Sequence, residues 1–272
     1  MRLAISNIGW ERYDDPEIFQ LLLKSGVEGI EVAPTKIWPN WEGASENTAR
    51  KCSAILHNEG FSVPAFQSIC YRKPDLKIFG SLNSRVELLK HIKFVLDLAS
   101  CFEAKVLVFG SPQNRFRGNL PLNEALNIAN HLFHQIGDIC AGYEVSFAIE
   151  MNPPHYGCDF LNNSLDLIAF IKQINHPAIK LHIDTAAMKL GDEDEIRIIT
   201  NAKDYIVHFH ISEPFLRNFD KPESNHVKAS KALNQIGYKK WVSIEMNMVD
   251  SPKQTIGKAI DFVKPIYLNR KT

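Results

Sequence analysis

The sequence predicts a single closed (β/α)8 barrel, and three observations carry that expectation. Short apolar runs rich in β-branched and aromatic residues recur along the chain, each followed by a longer stretch of helical period. Spread over eight units, the 272 residues allow about 34 each, enough for a strand, a helix and two connections. The segments after the runs are long and those leading into them short, as expected when one end of a barrel carries function.

The first run, Leu3–Ser6, leads to Asp15-Pro16, where an acceptor side chain followed by proline marks a helix start. The missing proline N–H costs nothing there, because the first helical N–H groups have no partner within the helix. Gly29–Val32 and Phe61–Phe66 read as the second and third strands. Leu88, Leu89, Ile92, Val95, Leu96 and Ala99 then keep the spacing of an amphipathic helix and lead into the fourth strand, Lys105–Phe109. A second such stripe runs from Ala125 to Cys140 through Ile128, Ala129, Leu132, Phe133, Ile136 and Ile139. Val145–Glu150, Ile179–Asp184, Tyr205–Ile211 and Trp241–Met246 complete the strands, and Ser251-Pro252 opens the last helix. Both faces of these runs look apolar, as in a buried parallel sheet.

Gln67–Leu82, Gly110–Leu122, Met151–Asn163 and Ser212–Ser224 are the long connections, whereas Gly26-Val27-Glu28 and Gly237-Tyr238-Lys239-Lys240 are short. The long ones all follow strands, so the C-terminal face of the barrel is the working end. No linker or shift of composition divides the chain, and residues 1–272 are expected to form one domain.

Composition agrees with a large core: 45% of residues are hydrophobic and 23% charged, which excludes a disordered or fibrous chain. Lys plus Arg and Asp plus Glu both number 31, so there is no global field to support nonspecific binding to nucleic acid or an anionic membrane. The five cysteines, Cys52, Cys70, Cys101, Cys140 and Cys158, form no Cys-x-x-Cys pair. That pattern argues against a disulfide framework and points to a reducing, cytoplasmic setting. The opening Met1-Arg2-Leu3-Ala4-Ile5-Ser6-Asn7 turns polar too early for a signal peptide, and no run reaches the length of a membrane span.

In the last four strands an apolar run ends in a residue that is expensive to bury: Glu150, Asp184, His210 and Glu245. Three carboxylates and an imidazole converging on one barrel mouth need a compensating charge, and a divalent cation supplies it. Neighbouring parallel strands lie about 4.8 Å apart, so four adjacent strand ends can enclose one ion. This oxygen-rich set suits Mn2+ or Mg2+ and also accepts Co2+ or Zn2+.

The residues around these positions resemble the xylose isomerase-like TIM-barrel superfamily. That group includes ketose 3-epimerases, hydroxypyruvate isomerases, inosose dehydratases and the endonuclease four type of repair enzyme. The matching pieces are Gly26-Val27-Glu28-Gly29-Ile30-Glu31, Phe109-Gly110-Ser111-Pro112 and Ile149-Glu150-Met151-Asn152. Leu181-His182-Ile183-Asp184-Thr185, His208-Phe209-His210-Ile211-Ser212 and Ser243-Ile244-Glu245 complete the set. The resemblance implies that Glu150, Asp184, His210 and Glu245 hold one divalent metal, while Glu150 and Glu245 also move protons. Such a metal would stabilise an enediolate while two carboxylates remove and return a proton on different faces. One position departs from the group: Ala187 stands where the metal epimerases usually carry the histidine of an Asp-x-x-His motif.

The function expected is therefore a metal-dependent isomerase or epimerase acting on a small sugar or sugar phosphate. A dehydratase using the same metal site, or a barrel that only binds a metabolite, are the alternatives. A repair endonuclease ranks low, since that relative uses more histidines and this chain has no net positive charge. Arg115 and Arg117 on the loop after the fourth strand are expected to meet an anionic group, and Arg217 after the seventh resembles an arginine that reaches a substrate hydroxyl. Glu31, His182 and His208 are further candidates for substrate contact, with a structural role as the bland reading of each. Trp10, Trp38, Phe66, Tyr71 and Phe116 are expected near the mouth. No nucleic-acid or membrane partner is expected, and a homo-oligomer is left open.

Overall fold

The computed structural model describes residues 1–268. Eight strands alternate with helices in chain order: β1 (Arg2–Ser6), α1 (Asp15–Lys24), β2 (Gly29–Glu31), α2 (Pro34–Ile37), α3 (Glu46–Asn58), β3 (Ala65–Phe66), α4 (Leu82–Cys101) and β4 (Val106–Phe109). Then follow α5 (Leu122–Gly142), β5 (Ser146–Glu150), α6 (Ser164–Ile174), β6 (Ile179–Asp184), α7 (Thr185–Leu190), α8 (Glu195–Asn201), β7 (Ile206–Ser212), α9 (His226–Gln235), β8 (Trp241–Glu245) and α10 (Pro252–Tyr267).

The strands pair in parallel in the order β2-β1-β8-β7-β6-β5-β4-β3. The ends of that ladder meet through parallel bridges between Gly29 and Ser62 and between Val32 and Phe66, which close the (β/α)8 barrel. Only Ala65–Phe66 of the expected third run is a regular strand. Pro64 sits at its entrance and has no N–H to give to a ladder, although its carbonyl accepts from Lys105.

Side-chain parity divides each strand between two environments. Phe109, Phe147 and Phe209 belong to the main core under the helices, where the Phe109 and Phe147 rings lie 5.2 Å apart. Ala65, Val106, Val108 and Ala148 form a separate small cluster on the other face, inside the barrel. The expectation of two equally apolar faces is corrected here. The inward positions are small or polar, and the interior widens into a polar mouth.

Both amphipathic stripes lie in helices, α4 and α5, with Leu88, Ile92, Val95, Ala129, Phe133 and Ile136 buried. Burying a side chain of the leucine or phenylalanine class contributes about 1.5–3 kcal/mol, so these stripes fix the helices on the barrel. The proline starts are also helix starts, but neither Asp15 nor Ser251 caps its helix with its side chain. Asp15 is the first residue of α1, and its carboxylate accepts from Trp10 Nε1 at 2.7 Å instead of capping the helix. All five cysteines carry free thiols. Among the described residues no helix is long and apolar enough to cross a membrane.

Candidate functional site

Register decides which strand-end residues meet. On β6 and β7 Asp184 lies opposite His210, on β7 and β8 Ser212 lies opposite Glu245, and on β5 and β6 Glu150 lies opposite His182. Glu150 is thus one inward position lower than Asp184, the stagger expected of tilted barrel strands. Ligand atoms of Asp184, His210 and Glu245 gather within 4.8 Å of one another, and Glu150 meets His210 in a second such group with His182. Glu150, Asp184, His210 and Glu245 all line one open cavity of about 370 Å3 at the C-terminal mouth.

His210 is the hub. Its Nε2 lies 3.0 and 2.9 Å from the two Glu31 oxygens, and its Nδ1 lies 3.1 Å from Glu245 Oε2 and 3.9 Å from Asp184 Oδ2. Burial disfavours its charge, but Glu31 and Glu245 overcome that and raise its pKa well above the ordinary histidine value. Burial likewise opposes the charge on Glu31, and His210 and His208 hold that carboxyl well below its usual range.

Asp184 caps α7: the Ala187 N–H donates to Oδ1 at 2.6 Å, and the Ser212 hydroxyl donates to Oδ2 at 2.6 Å. Gln67 holds Glu245, donating from Nε2 to Oε1 at 2.8 Å and to the Ser6 hydroxyl at 2.6 Å. Glu150 and the Asn152 amide pack over Gly110, where any side chain would overlap the carboxylate.

Crowding the acids has an electrostatic consequence. Burial, reinforced by Asp184 and Glu245, pushes the Glu150 carboxyl up to about 8. Burial and Glu245 push Asp184 up to about 6, against the opposing pull of His210 and its two hydrogen-bond donors. Asp184, Glu245 and a His210 nitrogen with no hydrogen-bond partner among the described residues form a hard donor set short of positive charge, with Glu150 beside His210 in the second group. Those residues fit a divalent cation.

Several residues expected at the mouth lie elsewhere. Glu31 is fully buried with both oxygens turned to His210, so it positions that ring and does not face the cavity. His182 is buried with its ring centroid 4.1 Å from that of His210. His208 Nε2 is 3.1 Å from Glu31, and the residue borders a different cavity at the N-terminal end of the barrel. Arg115 is only 1% exposed, and among the described residues its guanidinium nitrogens have no hydrogen-bond partner. Its charge reaches Glu150 from within the loop, as one of the influences that lower that carboxyl's pKa. Arg117 turns back to the Leu120 carbonyl, and Arg217 pairs with Glu223 at 2.7 Å on the surface, while the neighbouring Leu216 borders the mouth. Trp10, Trp38 and Phe66 are core residues. Gln67, Ser212, Asn152 and Tyr156 were not anticipated. Gln67 and Ser212 obey the same signal as the three acids and the histidine, a polar residue where an apolar strand ends.

Fold and site together define a (β/α)8 barrel with a carboxylate–histidine cluster at its C-terminal mouth. More particularly, the chain belongs to the xylose isomerase-like TIM barrel family, whose pattern matches residues 19–266. It is 22% identical over 163 residues to an L-ribulose 3-epimerase of Methylomonas sp. strain DH-1, a match covering 53% of this chain. The match spans 56% of that curated relative's length. The crystal structure of D-psicose 3-epimerase with D-tagatose from Clostridium cellulolyticum H10 superposes with a TM-score of 0.82 at 15% identity, covering 98% of this chain and 99% of that one. A 3-keto-D-glucoside 4-epimerase from E. coli gives 0.79 at 15% identity, over 97% and 99%. At such identities these superpositions establish a common fold.

Proposed function

We propose that the protein is a divalent-metal-dependent isomerase or epimerase of a small sugar, working by proton transfer next to a carbonyl. The observation that carries this reading is the convergence of Glu150, Asp184, His210 and Glu245 on one mouth cavity. The epimerases among the similar proteins support it. Asp184, His210, Glu245 and Glu150 would hold the cation, with Mn2+ or Mg2+ favoured by the oxygen-rich donors. When bound, such an ion supplies Lewis-acid polarisation of the substrate carbonyl and its neighbouring hydroxyl, which acidifies the C–H between them.

The chain's own residues do the rest. Glu150 and Glu245 stand on strands β5 and β8, with β6 and β7 between them, so one can take a proton from carbon while the other returns it on the opposite face. Gln67 fixes the Glu245 carboxylate through one oxygen and leaves the other for the site. Ser212 and the Ala187 N–H hold Asp184 in place, and Glu31 fixes the His210 ring. Ala187 is buried at the start of α7 and has no side-chain hydrogen bond to offer a substrate.

The test is incubation of the Mn2+-loaded protein with a ketose panel in deuterated water. Deuterium at the carbon beside the carbonyl, with a new epimer or aldose of unchanged skeleton, is the expected result. Loss of one water from the product would assign a dehydratase instead. Glu245→Gln should fold normally and lose the exchange; full exchange in that variant would overturn the proton-transfer roles.

A further inference from the structure

We propose that a second chamber beside the mouth is the subsite for an anionic substituent, a phosphate or carboxylate on the end of the sugar remote from the carboxylate–histidine cluster. The inference deepens the sugar isomerase reading and rests on it. The chamber measures about 460 Å3 and shares Ser68, Ser111, Pro112 and Tyr156 with the mouth cavity, so the two form one cleft. Its charge is opposite to that of the mouth. Arg72 and Lys73 line it, no Asp or Glu does, and among the described residues neither cation has a carboxylate partner.

The segment that carries these two cations is held from outside. The Trp41 indole N–H donates to the Tyr71 carbonyl at 2.9 Å, and the Asn114 amide donates to the Lys73 and Leu76 carbonyls at 2.8 and 2.9 Å. His91 Nε2 lies 2.7 Å from the Ile69 carbonyl. Ser68, Arg72 and Ser111, all bordering the chamber, adopt left-handed backbone with φ of 53°, 61° and 40°. L-residues avoid that region unless the surroundings impose it, and such positions cluster at ligand sites.

A cleft negative at one end and positive at the other orients a substrate whose charged group is far from its carbonyl. An anion beside Glu150, Asp184 and Glu245 would be repelled, whereas one beside Arg72 and Lys73 gains charge-assisted hydrogen bonds. Arg115, expected from sequence to serve this purpose, lies outside the linings of both cavities.

The experiment uses polyol compounds that have no aldehyde or ketone and cannot turn over. Calorimetric titration of the Mn2+-loaded protein with glucitol, glucitol 6-phosphate and gluconate should show at least one anion binding on the order of 10- to 100-fold more tightly than glucitol. Which anion wins distinguishes phosphate from carboxylate. In the Arg72→Met/Lys73→Met variant that ratio should fall to about one, and raised salt should shrink it in the parent protein. Equal or absent binding of glucitol and both anions overturns the proposal, as does a preference that survives the double substitution. Failure of the isomerase reading would show separately, as no deuterium exchange with any ketose.

Discussion

Nε2 of His210 faces both carboxylate oxygens of Glu31, at 3.0 and 2.9 Å, while Nδ1 of the same ring faces Glu245 Oε2 at 3.1 Å. With Nε2 donating to Glu31, Nδ1 is the nitrogen that would give up its proton to take a cation at the mouth. A carboxylate behind a ligating imidazole fixes its tautomer and raises its basicity.

Glu31→Gln should therefore weaken divalent-metal affinity by about 10- to 100-fold, the usual effect of removing such a partner. Titration of the apo protein with Mn2+, followed by electron paramagnetic resonance, measures it. An unchanged affinity would show that Glu31 serves packing alone.

The raised carboxyls give a pH dependence with a definite sign. Without a cation, folded Glu150 and Asp184 keep protons that the unfolded chain, at ordinary values of 4.5 and 3.8, has released. The folded state then binds more protons than the unfolded state, and stability falls as pH rises from those values towards about 8. His210 acts in the same direction, since stability from its raised pKa is lost as pH climbs through the folded value. A bound cation displaces the carboxyl protons, so stabilisation by Mn2+ should grow from pH 5 to pH 8. Melting temperatures with a chelator and with Mn2+ across that range test this, and a metal effect independent of pH would contradict it.

Gly110→Ala should damage the mouth by steric overlap. A methyl group there would overlap Glu150 Oε2 and stand 3.3 Å from Asn152 Nδ2, so the carboxylate must turn away. Overpacking of this kind costs about 1–3 kcal/mol. A lower urea midpoint together with weaker metal binding is the expected pair of results.

Away from the mouth, Glu213 Oε1 accepts from His226 Nε2 at 2.6 Å, and the other oxygen accepts from the Glu223 and Ser224 N–H groups. Burial opposes its charge, but these partners hold the carboxyl below its ordinary 4.5. Its contribution is present above that value and is lost as pH falls through the lower folded one. Glu213→Gln should cost about 1–3 kcal/mol near neutral pH, the range for hydrogen bonds to a charged group. Denaturant unfolding should show the gap between the two proteins closing as pH falls below 4.5 and through the lower folded value.

The barrel and its working end were legible in the chain because strand and helix periods differ and long connections follow the strands. The cluster was legible for a related reason: Glu150, Asp184, His210 and Glu245 interrupt apolar runs at the strand ends where polar residues are costly. Parity was visible too, but depth was not. His182 and His208 face inward as expected, yet two residues along a strand moves a side chain about 6.6 Å, from the mouth into the core. The arginines stand away from the two cavities for a different reason. Arg115, Arg117 and Arg217 lie on loops, whose turns obey no period, and only the folded loops reveal that Arg72 and Lys73 line the chamber beside the mouth. Gln67 was missed because Pro64 cuts its strand to Ala65–Phe66, leaving almost no run for it to interrupt.

Asp184 is at once a strand end, a helix cap and a member of the acidic cluster. Asparagine, serine or threonine at that position could still start α7, since each can accept from the Ala187 N–H, but none would bring the negative charge. If Asp184 holds a cation as proposed, one substitution there would remove the chemistry without unravelling the polypeptide beside it. On that reading, a neutral cap at this site would mark a preserved scaffold, and only an aspartate would supply the charge a cation needs.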